Sequence, residues 1–138
     1  MNKLVLLSLG LLAALLLAVS ALAANKTITV GMSGKQETPK GSPHGTGTAK
    51  ITLEPSRHKV CFRLTWSGID APTASHIHKG RKGTAGPVVV PLFATPPKHT
   101  GCVTASKSLI TKIEKSPSAY YVNIHTKKYP AGALRGQL

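Results

Sequence analysis

Six histidines stand in this 138-residue chain, and the spacing of three of them could support chemistry. His76 and His78 flank Ile77. On a strand this spacing puts both imidazoles on one face, with Cβ atoms about 6.5–7 Å apart. A His-x-His pair of that kind can chelate one transition metal, and His125, in another strand-like segment, is the candidate third ligand. Neutral imidazoles suit copper, zinc or nickel. The reading requires the three ring nitrogens to converge within about 3–4 Å, because metal–nitrogen bonds are about 2.0–2.1 Å long. His44, His58 and His99 fall in loop-like segments and are expected to be solvated.

Other chemistries lack the groups they need. The only acidic residues are Glu37, Glu54, Asp70 and Glu114, set against 18 Lys and Arg. A hydrolase built on paired carboxylates would have to assemble them from these four scattered positions. A carboxylate-rich calcium or magnesium site is equally short of ligands, and a Ser-His-Asp triad would have to use Asp70. Aromatic residues make up only 4% of the chain, which disfavours specific nucleic-acid recognition.

The elements that must carry the histidines are short strands. Lys26 to Met32 alternates apolar and polar residues, as do Ala49 to Leu53 and Val60 to Trp66. In the last of these Val60, Phe62, Leu64 and Trp66 share a face; Cys61 then points the other way unless a bulge intervenes. Further strands are expected at 73–78, 87–93, 119–126 and 133–138, with Pro91 marking an edge or a bulge. The only helical pattern is at 107–115, through Leu109, Ile110 and Ile113. About eight short strands with frequent turns indicate an all-β sandwich or barrel of one domain.

The first 23 residues read as a cleaved signal peptide. Lys3 precedes an almost unbroken Leu/Ala/Val run from Leu4 to Val19, and Ala21-Leu22-Ala23 fits a cleavage site. The mature domain is then 24–138, secreted or held in the cell envelope (the periplasm where there is an outer membrane), with no membrane span after cleavage. Losing Lys3 lowers the formal net charge from +14 to +13. Outside the cytosol the only two cysteines, Cys61 and Cys102, are expected to pair. Lys79, Arg81 and Lys82 form one basic loop, and Lys127 and Lys128 a second, expected nearby if the histidine strands are neighbours. Such charge favours anionic wall, lipid or glycan polymers as partners.

Four segments together resemble the CHRD (chordin-type) domain family: Met32-Ser33-Gly34-Lys35-Gln36-Glu37-Thr38-Pro39, Ala74-Ser75-His76-Ile77-His78-Lys79-Gly80 with Gly83, Gly86-Pro87-Val88-Val89-Val90, and Tyr121-Val122-Asn123-Ile124-His125-Thr126 running on to Tyr129-Pro130-Ala131-Gly132-Ala133-Leu134-Arg135-Gly136-Gln137-Leu138. Ser75 and Ala133-Leu134 depart slightly from its pattern. The resemblance spans about residues 27–138, nearly all of the mature chain. It implies an all-β, immunoglobulin-like Greek-key sandwich and a single-domain secreted protein of bacterial type, and it implies little about activity. The leading expectation is therefore a non-enzymatic binding or structural module of the cell exterior.

The His-x-His strand, the later histidine and Arg135 near the C-terminus also resemble Cu/Zn superoxide dismutases by analogy. That likeness implies a copper or zinc protein with metal-dependent redox activity, Arg135 attracting an anion. It lacks a fourth imidazole and an acidic zinc ligand. A purely structural alternative makes the three histidines part of a hydrogen-bonded network with Asn123, Thr126, Arg135 and Gln137.

Overall fold

Alternating apolar residues build both halves of the protein in the computed structural model, which describes residues 24–138. The expected signal peptide, residues 1–23, lies outside the described residues. Eight strands form in chain order: β1 (Lys26–Ser33), β2 (Thr46–Glu54), β3 (Lys59–Ser67), β4 (Pro72–Lys79), β5 (Val88–Ala94), β6 (Thr100–Thr104), β7 (Tyr120–Thr126) and β8 (Leu134–Gln137). One α-helix, α1 (Lys107–Lys115), stands where the 3.6-residue pattern predicts it. Ser106 caps it by accepting from the Leu109 N–H, and Ile110 and Ile113 are fully buried beneath it.

The strands pair antiparallel in one continuous sheet of order β5-β4-β7-β8-β1-β2-β3-β6. The sheet folds over on itself until its end strands, β5 and β6, approach each other. Ile51, Leu53, Val60 and Leu64 on one half meet Ile77, Val122, Ile124 and Leu134 on the other, all fully buried. The result is the sandwich-like all-β fold expected, in a nearly closed form compatible with Greek-key wiring. No helix among the described residues is long and apolar enough to cross a membrane.

Two ambiguities of the pattern resolve simply. Pro91 lies on end strand β5, where a missing N–H removes nothing from an inner ladder, and the β4–β5 register also shifts twice. Cys61 points away from the core with no bulge, directly opposite Cys102 on β6, and the two are bonded. Alternation alone does not locate β6, because its five residues, Thr-Gly-Cys-Val-Thr, offer only Val103 as a sizeable apolar side chain.

The Cys61–Cys102 bridge closes a 41-residue loop containing β4 and β5. Chain entropy assigns such a loop about 4 kcal/mol. Replacing both cysteines by alanine should therefore lower the urea midpoint by the equivalent of a few kcal/mol. An unchanged midpoint would show that the bridge contributes nothing to stability.

Candidate metal centre

Strands β4 and β7 position all three histidines. Their antiparallel register sets Ala74 opposite His125, His76 opposite Asn123, and His78 opposite Tyr121. Alternation turns Ile77, Val122 and Ile124 into the core and leaves His76, His78, Tyr121, Asn123 and His125 on the other face of the sheet. β8 adds Arg135 and Gln137 to that face, since Asn123 opposes Arg135 and Tyr121 opposes Gln137. This second, polar layer is roofed by the glycine-rich loop 80–87 and by the segment after β1.

The imidazoles converge. His76 Nδ1 and His125 Nε2 are 3.1 Å apart. One ring nitrogen from each histidine lies within 4.8 Å of the other two. The first pair thus already has the expected separation, and the set of three spreads over no more than 4.8 Å.

Backbone carbonyls orient two of the three rings. His125 Nδ1 donates to the Pro130 carbonyl at 2.9 Å, leaving Nε2 with its lone pair. His78 Nδ1 donates to the Gly86 carbonyl at 2.8 Å, and its Nε2 lies 3.1 Å from Asn123 Oδ1. Burial, reinforced by the neighbouring His125 and His78, pushes the pKa of His76 down to about 4. Burial also lowers His125, against the Pro130 hydrogen bond that raises it. The His76 ring is therefore neutral near pH 7.

Around the histidines runs a stacked and hydrogen-bonded shell. The Tyr121 ring stacks on His78 at 4.8 Å between centroids, and the Arg135 guanidinium lies 3.5 Å from the centre of the same Tyr121 ring. Arg135 is 1% exposed. It donates to the Thr84 and Arg81 carbonyls and to Gln137 Oε1, at 2.9, 2.8 and 3.0 Å. It is a clamp on loop 80–87, facing no solvent through which an anion would arrive. Gln137 extends the clamp to the Gly80, Ser118 and Tyr120 carbonyls. Thr126 stands apart from this shell; its hydroxyl accepts from the Tyr129 N–H in the turn after β7.

Glu37 is the residue the sequence reading passed over. It is buried, with its carboxyl packed on Gly132, and Oε1 has no hydrogen-bond partner among the described residues. Gly132 has φ +142°, and a Cβ there would collide with that carboxyl. Burial pushes the Glu37 pKa up to about 7, opposed by Arg135 and by hydrogen bonds from Asn123 and the Thr38 backbone. Its place beside Gln36 in the opening motif was the available signal.

The basic loops come out differently from expectation. The histidine strands are neighbours, but Lys79 pairs near Tyr120 and Lys127 follows Thr126, at opposite ends of β7. Seven residues of strand separate those ends by about 20 Å. Lys79, Arg81, Lys82, Lys127 and Lys128 are all exposed. Of the remaining histidines, His99 is more than a solvated loop residue: it stacks on Trp66 at 3.9 Å and contacts the Leu64 carbonyl at 2.9 Å.

The family model for the CHRD domain matches residues 28–138. The chain belongs to the CHRD domain family. No curated protein matches it, and no solved structure does either. In this CHRD domain the four motif segments, far apart in the chain, meet in one layer. Glu37 comes from the first, His76 and His78 from the second, Gly86 from the third, and Asn123, His125, Gly132, Arg135 and Gln137 from the last. Gly86 is needed there because a Cβ would collide with the Lys79 carbonyl.

Glu37 makes a pH prediction. Its folded pKa, about 7, lies above the ordinary 4.5, so the folded state holds the proton more tightly. Its contribution is present at low pH and is lost as pH rises from about 4.5 to about 7. His76, lowered from 6.5 to about 4, acts in the opposite sense across that window. The stability difference between wild type and Glu37→Gln cancels the histidine effect. That difference should move against the wild type by on the order of 2 kcal/mol between pH 4.5 and 8. A flat difference in urea titrations would show that folding leaves the Glu37 pKa at its ordinary value.

Proposed function

We propose that this CHRD domain is an exported module that holds one copper or zinc ion on His76, His78 and His125. One observation carries the reading: His76 Nδ1 and His125 Nε2 face each other at 3.1 Å, while Nδ1 contacts to the Gly86 and Pro130 carbonyls orient the His78 and His125 rings. Metal-ligating histidines are oriented by this kind of second contact. Asn123, Arg135 and Gln137 serve as the supporting shell. The signal-like start and the Cys61–Cys102 bridge favour a place outside the cytosol.

Binding without catalysis fits the site better than dismutase chemistry. Arg135 is buried and engaged with carbonyls, and no carboxylate joins the three-histidine cluster among the described residues. The cationic surface supports a second role, association with anionic polymers, because the chain carries 18 Lys and Arg against 4 acids.

Elemental analysis of the untagged protein, with copper and zinc calorimetry, tests the metal reading. Near-stoichiometric uptake is expected at pH 7, with loss in His78→Ala. Uptake should fail near pH 4, the lowered value for His76. No heat of binding in the wild type would leave the histidines as scaffold.

A further inference from the structure

The face of β1, β2, β3 and β6 that points away from the core carries an arrangement the metal site does not use. The register sets Thr29, Lys50, Arg63 and Thr100 side by side in one row across four strands. That row is about 14 Å wide at the usual strand spacing. Lys50 and Arg63 are directly opposed, and both are exposed. Like charges in that position destabilise a sheet. Among the described residues no carboxylate pairs with either; the single ion pair is Arg57 with Glu54, at the far end of β2. A local conflict of this kind is expected where a ligand resolves it.

The surroundings narrow the ligand. Lys50 and Arg63 border a shallow depression of about 440 Å³ whose other walls include Thr52, Thr100 and the Cys61–Cys102 bridge. The row on one side adds Thr27 and Thr52, whose hydroxyls lie 3.1 Å apart, and the row on the other adds Thr48 opposite Thr65. Each hydroxyl in such a pair retains an acceptor site for a further hydrogen bond. Trp66 and Phe62 belong to the opposite face of β3, so no aromatic ring projects here for base stacking. Nor does a large apolar side chain project here to enter a lipid surface.

We infer that this face binds an acidic polysaccharide, with Lys50 and Arg63 receiving its carboxylate, sulfate or phosphate groups and the threonine rows its ring hydroxyls. The inference rests on the reading of the protein as a cationic exported module, and it places the contact on a face separate from both basic loops.

Calorimetry of the mature protein with a heparin oligosaccharide, at about 50 mM NaCl to limit screening, tests it. The Lys50→Gln/Arg63→Gln variant should lose about tenfold or more in affinity. Lys127→Gln/Lys128→Gln, which removes the same charge from a loop, should lose less than about threefold. Lys50→Glu, which gives Arg63 a cross-strand partner, should raise the urea midpoint while weakening binding. His78→Ala should bind the oligosaccharide as wild type does. Equal losses in the two double variants would reduce the effect to net charge and overturn the site. Loss confined to the Lys127/Lys128 variant would overturn this face while sparing the broader reading of a module for anionic partners. Equal affinity for an oligodeoxythymidine of matching length would overturn the glycan assignment, and no binding at all would overturn both readings.

Discussion

A buried guanidinium on the last strand organises the polar layer. Arg135 cannot leave water without replacing its hydration, and it does so with the Arg81 and Thr84 carbonyls and the Gln137 amide oxygen. That requirement brings loop 80–87 down onto the sheet. The same loop carries Gly86, whose carbonyl orients His78, so the position of a candidate ligand depends on a cation that does not touch it. Tyr121 transmits the constraint through packing as well, with Arg135 and His78 both stacked on its ring. Glu37 completes the layer from the opening segment, adding a carboxyl whose charge depends on pH.

Much of this architecture was legible because strands announce themselves by alternation. Val60, Phe62 and Leu64 lie inward and Arg63 and Thr65 outward, as period two requires. The helix at 107–115 was visible from Leu109, Ile110 and Ile113. β6 was invisible because it is held by pairing with β3 and by a bridge from Cys61, neither of which leaves a periodic trace in five residues. The His-x-His face was legible for the same geometric reason as the strands. The role of Arg135 was not, because an arginine looks solvent-seeking until the carbonyls of a loop some fifty residues earlier are placed around it. Glu37 escaped for a similar reason: an acid is assumed to face water, and only tertiary closure over Gly132 buries it.

The fold also divides its charge between two different environments. On the β4–β7–β8 half, Arg135 is withdrawn from water and satisfied by carbonyls, with Glu37 buried nearby. On the β1–β2–β3–β6 half, Lys50 and Arg63 are left unpaired in the open. The first arrangement gives rigidity to a small set of imidazoles, and the second leaves a field available to whatever approaches. Separate halves of one sheet can thus serve separate ligands, because each strand row communicates mainly with its hydrogen-bonded neighbours.

The sheet stops just short of closing, and its two ends are β5 and β6. Any terminal strand offers unpaired amides to which a strand from another molecule can add. Here Pro91 interrupts one end, and the other is only five residues long. The two ends also face each other, and Trp66 packs near Phe93 and His99 alongside them. The protein thereby keeps its own seam from becoming a template for polymerisation.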